Sequence, residues 1–125
     1  MEDNSRIFKR KVYDRMLQWK KSKNGSTALL IKGARRVGKS TIAEEFAKRE
    51  YKSYILVDFA NPPEQLKEAL SHISDLDYFL MRLQFIYKTT LNERESVIIF
   101  DEIQKAPIAR QAIKYLVKDR RYDYI

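Results

Sequence analysis

Gly33-Ala34-Arg35-Arg36-Val37-Gly38-Lys39-Ser40 decides the fold of this chain, because it has the G-x-x-x-x-G-K-[ST] pattern of a phosphate-binding loop. The apolar stretch Ala28–Ile31 before it predicts a buried strand, and Thr41–Lys48 after it predicts an amphipathic helix. In that arrangement, glycines let backbone N–H groups surround the phosphates, and the helix N-terminus adds partial positive charge. Lys39 is predicted to reach the β- and γ-phosphates, and Ser40 to ligate Mg²⁺. The pattern therefore predicts a nucleotide site.

A second apolar run, Val97–Phe100, ends in two acidic residues, Asp101 and Glu102. Functional groups collect at the carboxyl ends of parallel strands, so these acids are expected beside the loop. Asp101 is predicted to hold Mg²⁺ through its water shell. Because strand side chains alternate, Glu102 is expected on the opposite side, where it would orient and deprotonate the attacking water. The other interpretation is that both acids merely begin a helix.

Three further polar residues leave alternatives open. Arg35 and Arg36, inside the loop, contact the γ-phosphate or a neighbouring subunit, or they simply face solvent. Asp58 ends the predicted second strand, Tyr54–Phe59. It would either order the water shell of the Mg²⁺ or cap the turn before Pro62.

The length and charge of the chain limit its organisation and its partners. The 125 residues suffice for one domain, and the 25 Lys and Arg against 17 Asp and Glu, a net charge of +8, suggest an anionic partner. Residues 1–25 hold eight basic and three acidic side chains, which predicts a basic N-terminal helix leading into a domain over residues 26–125. That helix is interpreted as a nucleic-acid-binding or membrane-surface patch, or as a solvated helix whose apolar side carries Val12, Met16 and Trp19.

Several classes of protein are excluded by what the sequence lacks. It has no cysteine, so it has no disulfide framework and no thiolate metal site. Its single histidine, His72, is expected to be exposed near a helix end rather than to act as a ligand or base. No apolar run reaches the roughly 18 residues of a membrane span, and the N-terminus lacks the hydrophobic core of a signal peptide. A cytoplasmic protein with no membrane partner is expected.

Periodicity and capping residues predict the remaining elements. A helix is expected over residues 7–22, ended by Asn24 and Gly25, and another over residues 62–72. Asp75 is expected to cap a helix whose core face carries Leu76, Phe79, Leu80, Leu83 and Ile86 or Tyr87. Pro107 is expected to open a helix to Lys118 with Ile108, Ala112, Ile113, Leu116 and Val117 inward, and Tyr122–Ile125 to begin a strand. The fold class is α/β, with a parallel sheet flanked by helices in three layers.

Two segments, Ile31–Thr41 and Ile99–Pro107, resemble the AAA-type P-loop ATPases of bacteria and archaea that carry a DUF4143 domain at their C-terminus. The tail, residues 109–125, is also similar to that family, and the resemblance covers about Arg10 to Ile125. It implies that Lys39, Ser40 and Thr41 contact phosphate and Mg²⁺, that Asp101 is the metal-side acid and that Glu102 is catalytic. Family members are considerably longer.

The resemblance further implies that the chain is the N-terminal portion of an ATPase domain, truncated before the strand that carries a polar sensor residue. It places that strand between the phosphate-loop strand and the acidic strand, and the arginine finger later still. The function expected is Mg·ATP binding, with hydrolysis in the full-length protein and little or none in this chain. Unpaired groups in the sheet predict marginal stability or self-association through the open edge. The alternatives are a nucleic-acid-binding module that uses the loop as a nucleotide switch, and a nucleotide or small-molecule kinase.

Overall fold

A parallel sheet of three strands, in the order β1-β2-β3, forms the centre of the computed structural model, which describes residues 4–30 and 39–125. The strands are β1 (Ser53–Asp58), β2 (Ser96–Asp101) and β3 (Asp123–Tyr124). The helices are α1 (Asn4–Lys23), α2 (Lys39–Glu50), α3 (Glu64–Ser71), α4 (Leu76–Ile86) and α5 (Pro107–Asp119), with a 3₁₀ helix at Ile103–Lys105. The predicted parallel sheet flanked by helices is confirmed.

Alternation along β2 divides the interior into two hydrophobic clusters, one on each face of the sheet. In the first cluster, Ile98 packs with α3, α4 and α5. In the second cluster, on the other face, Val97 and Ile99 pack with α1 and α2. All three side chains are buried, because helices cover both faces of the central strand. This arrangement is the three-layer sandwich that the order of elements predicted.

The first cluster confirms the predicted core face of α4 and corrects that of α5. Phe79, Leu80 and Leu83 of α4 are buried, and Asp75 caps this helix by accepting a hydrogen bond from the Tyr78 N–H at 3.2 Å. In α5 the prediction for Ile108 is wrong, since 56 % of the residue is exposed and Ala109 is buried instead. With Pro107 as the first residue of α5, the helical turn brings residues 109, 112 and 116 toward the sheet.

The second cluster joins the N-terminal helix to the helix that follows the predicted loop. Met16 and Trp19 of α1 are buried against Phe46 of α2, so the predicted apolar side of α1 is confirmed. After α1 ends at Lys23, Asn24 and Gly25 take positive φ angles of 45° and 81°, as their left-handed tolerance predicted.

Residues 28–30, the described part of the strand predicted at Ala28–Ile31, are not a regular strand. The Leu29 N–H donates to the Tyr124 carbonyl oxygen at 2.9 Å, so this segment runs beside β3, but a single bond does not make a ladder. The strand predicted within Tyr122–Ile125 is confirmed as Asp123–Tyr124, and it lies between β2 and residues 28–30.

A buried charged network holds the amino-terminal end of β3. Asp123 is only 3 % exposed, and its carboxylate accepts hydrogen bonds from the Tyr51 hydroxyl and from Arg94 Nη2, the latter at 2.6 Å. Burial, together with the bond to Asp123, raises the pKa of Tyr51 above its ordinary value. The network joins the residue after α2 to the loop before β2 and to β3.

Candidate functional site

The carboxyl ends of β1 and β2 bring two aspartates together. The parallel register places Asp58 opposite Asp101, and the Phe59 N–H donates to the Asp101 carbonyl oxygen at 3.0 Å. Parallel strands end at the same edge of a sheet, and that edge is where ligands bind in open α/β folds. The observed register therefore brings Asp58 and Asp101 to the same edge of the sheet.

Asp58 caps the turn after β1. Its Oδ1 atom accepts a hydrogen bond from the Ala60 N–H at 2.9 Å, a local turn that aspartate favours. The prediction that Asp58 caps the turn before Pro62 is confirmed, and its action on a Mg²⁺ water shell stays a prediction. Burial, with a smaller contribution from the charge of Asp58, raises the pKa of the nearby Tyr87 hydroxyl to about 12.

Glu102 lies outside the strand, and the prediction that it continues the alternation of β2 is wrong. The strand ends at Asp101, and Glu102 has a left-handed backbone with φ 57° and ψ 41°. This conformation is unusual for a residue with a side chain, and it turns the chain out of the sheet into the 3₁₀ helix Ile103–Lys105. The direction of the Glu102 side chain is consequently set by this turn and not by the pleat of the strand.

The 3₁₀ helix supplies a partner for Glu102 that sequence reasoning did not identify as a site residue. Gln104 Nε2 donates to Glu102 Oε2 at 2.5 Å, and the Lys105 N–H donates to the Glu102 carbonyl oxygen at 3.0 Å. Ile103 and Ala106 pack against the first hydrophobic cluster and anchor the turn from below. The separation of two residues between Glu102 and Gln104 was visible in the sequence, but the left-handed backbone that brings them together was not.

A cleft of about 1100 Å³ opens beside these residues. It lies between the end of β2, the 3₁₀ helix, α5 and residues 28–30, with Ala43 of α2 contributing to its wall. Asp101, Glu102 and Gln104 line one side, and Arg110 and Lys114 of α5 line another. The cleft thus combines carboxylates at a strand end with cationic side chains that suit an anionic ligand.

Most of the predicted phosphate-binding loop, residues 33–38, lies outside the described residues. Lys39 and Ser40 begin α2, so the predicted helix after the loop is confirmed from Lys39 to Glu50. Ile42 and Phe46 of α2 are buried in the second cluster, and this packing places the helix against the sheet. The roles predicted for the loop residues and for Thr41 remain predictions.

The donor chemistry at the edge of the sheet fits a magnesium ion. Asp58 and Asp101 supply carboxylate oxygens, the hard ligands that Mg²⁺ prefers, and nucleotide sites use only one or two such ligands beside the substrate phosphates. Within residues 4–30 and 39–125, no group of three or more His, Cys, Asp or Glu side chains comes together as a metal site. His72 follows α3, is exposed and lies 3.5 Å from Glu68, as expected for a histidine near a helix end.

Comparison with known proteins identifies the family. A family model described as an AAA domain matches residues 25–125, which is most of the chain. No curated protein and no solved structure matches the chain. In the part of the chain that the structure describes, no helix has the length and apolar character needed to cross a membrane. The chain belongs to the AAA domain family, and this membership indicates nucleotide-binding function of the ATPase type.

Proposed function

We propose that this chain binds Mg·ATP through residues 33–41 together with Asp101, and that it belongs to a protein that hydrolyses ATP. The single observation that carries the proposal is the position of the two acids. Asp101 ends β2 at the carboxyl edge of the sheet, and Glu102 follows it on the wall of the cleft. The family match over residues 25–125 supports the same conclusion.

Each proposed contact follows from the chemistry of its residue. Backbone N–H groups of residues 33–38 would surround the phosphates, and Lys39 would neutralise charge on the β- and γ-phosphates. Ser40 and Asp101 would hold Mg²⁺, which supplies charge stabilisation when it is bound. Glu102 would orient the attacking water and accept its proton. Thr41 would contribute a further phosphate contact at the start of α2.

We make two more specific proposals, on the subgroup of AAA-type ATPases to which the chain belongs and on the limits of its ATPase domain. We place the chain among the AAA-type ATPases with a C-terminal DUF4143 domain, because Ile99–Pro107 and residues 109–125 resemble that group. The family match begins at residue 25, which supports a division into an N-terminal helix over residues 1–25 and an ATPase domain over residues 26–125. We expect this chain to turn ATP over slowly. Self-association would change this rate with protein concentration.

Titration calorimetry with Mg·ATP, combined with phosphate release in the same samples, tests the site. Lys39→Ala should abolish measurable binding, whereas Lys48→Ala, an exposed lysine in the same helix, should bind like wild type. Glu102→Gln should bind ATP and lose turnover, because the amide cannot accept the proton from water. Unchanged binding by Lys39→Ala would refute the loop assignment, and wild-type turnover by Glu102→Gln would refute the assigned base.

One observation keeps a nucleic-acid-binding function as the second candidate. Arg10, Lys11, Arg15, Lys21 and Lys23 of α1 are all exposed, so the helix presents basic charge beside its buried apolar side. Binding to phosphate backbones by such a surface weakens steeply with salt. Salt-dependent DNA binding that survives Lys39→Ala would favour this candidate, and its absence would leave α1 as a packing helix.

A further inference from the structure

We propose that Gln104 is a positioning residue for Glu102, and that its side-chain amide fixes the direction in which the Glu102 carboxylate is presented to the cleft. This inference rests on the proposed function, because it assigns a role in the step that Glu102 would perform. Gln104 acts through Glu102 and has no proposed contact with the nucleotide.

The first support is the backbone of Glu102. Its φ of 57° places the Cα–Cβ bond in a direction that neither a strand nor a right-handed helix would give. A carboxylate carried out of the regular pleat in this way depends on local contacts for its orientation. The Gln104 amide makes such a contact, with Nε2 at 2.5 Å from Glu102 Oε2.

The second support is the rigidity of the turn that carries Gln104. The Lys105 N–H donates to the Glu102 carbonyl oxygen at 3.0 Å, and the Ala106 N–H donates to the Ile103 carbonyl oxygen at 2.9 Å. Ile103 and Ala106 both pack against the first hydrophobic cluster. Gln104 is therefore carried by a turn that is held by backbone hydrogen bonds and by packing against the first hydrophobic cluster. Gln104 itself is exposed.

The third support is chemical. A glutamine amide donates to a carboxylate without bringing a charge, so it can restrain the glutamate and leave it able to accept a proton. A lysine or arginine in the same place would stabilise the ionised form and oppose proton transfer from water. Gln104 and Glu102 also line the same cleft, so a change in this contact would change the geometry at the cleft wall.

The contact itself is tested without turnover, by the side-chain amide resonances of the 125-residue chain in NMR. The Gln104 amide protons should be shifted from those of Gln111, an exposed glutamine on α5 that lines the same cleft. In Glu102→Ala the Gln104 resonances should move to the position typical of a solvated amide, while those of Gln111 stay in place. If the chemical shifts of the Gln104 side-chain amide do not change in Glu102→Ala, the proposal is overturned.

Single-turnover phosphate release from Mg·ATP tests the role. Gln104→Ala should lower the rate roughly tenfold with no change in the Mg·ATP dissociation constant, because a misdirected base weakens only the chemical step. Gln104→Glu, which keeps the shape and loses the donor, should lower the rate at least as much. Gln65→Ala, at an exposed glutamine of α3 that does not line the cleft, should match wild type.

The outcomes separate the two proposals. A wild-type rate in Gln104→Ala, alongside a lost rate in Glu102→Gln, would overturn the positioning role and leave the proposed function intact. A wild-type rate in Glu102→Gln would refute the proposed base, and the positioning role would fall with it. If wild type binds Mg·ATP and releases no phosphate, hydrolysis by this chain is refuted, and the resonances still decide whether Gln104 holds Glu102.

Discussion

Removing the Asp123 carboxylate should cost this protein a large part of its stability. Asp123 lies at the amino-terminal ends of the strands, whereas the candidate site lies at their carboxyl ends. The carboxylate is almost fully buried and accepts hydrogen bonds from the Tyr51 hydroxyl and from Arg94. Tyr51 is itself only 8 % exposed, whereas the Arg94 side chain keeps 35 % of its surface in contact with solvent. The two partners of Asp123 will therefore respond differently to its loss.

The magnitude follows from these exposures. In Asp123→Ala the buried Tyr51 hydroxyl loses its acceptor, which costs about 1–3 kcal/mol. Arg94 can turn into water, so its lost ion pair adds no more than about 1 kcal/mol. The expected loss in free energy of unfolding is therefore roughly 1–4 kcal/mol. Tyr51→Phe should cost about 1.5 kcal/mol, since the carboxylate keeps its bond from Arg94.

Urea unfolding at neutral pH measures both losses, with thermal unfolding as a second readout at about 4 °C per kcal/mol for a chain of this size. Glu95→Ala is the matched control, because the Lys52–Glu95 pair spans 4.0 Å with both side chains more than half exposed. It should change stability by less than about 0.5 kcal/mol. In the double variant of Tyr51 and Asp123 the two losses should not add, since both remove the same bond. A loss below about 1 kcal/mol in Asp123→Ala would refute the reasoning.

Three further outcomes are expected. Burial raises the pKa of Tyr87 to about 12, so the free energy of unfolding should fall as pH rises from about 10, the pKa in the unfolded chain, toward 12. Urea unfolding of Tyr87→Phe should show a free energy of unfolding that falls less steeply over this pH range, and a fall as steep as that of wild type would contradict the assignment. Asp75→Ala removes the cap of α4 and should cost about 1 kcal/mol in the same assay, with no loss counting against the cap. Leu83→Ala should cost about 2–5 kcal/mol, whereas Met81→Ala, on the exposed side of α4, should cost less than about 0.5 kcal/mol; equal losses would contradict the observed face.

The elements that sequence reasoning predicted correctly are those whose signal is local. In α4 the cap at Asp75 and the spacing of Phe79, Leu80 and Leu83 lie within nine residues, and the structure confirms both. The β2 strand likewise shows its burial in an unbroken apolar run, and its end at Asp101 marks the edge of the sheet. The fold class follows from such signals because each one is complete in a short stretch of chain.

What the sequence did not reveal depends on contacts between distant residues or on single backbone angles. Tyr51 and Asp123 are separated by 72 positions, and neither residue differs in type from an ordinary surface residue of its segment. The left-handed conformation of Glu102 has no signal in its residue type, because glutamate has no special preference for that region. Ile108 was misplaced for a related reason: residues 108 and 109 lie four and three positions before Ala112, so both fit the helical spacing, and which of them faces the core depends on how α5 docks on the sheet.

The β3 strand connects the buried network to the candidate site through β2. At its amino-terminal end, Asp123 pairs with Val97 in the register. At the other end, the Phe100 N–H donates to the Ile125 carbonyl oxygen at 2.8 Å, one residue before Asp101. Because a slip of one residue would turn every side chain of a strand to the opposite face, the buried charge of Asp123 helps to keep β3 in register. The network thereby supports the backbone that leads directly to Asp101, although no atom of it reaches the cleft.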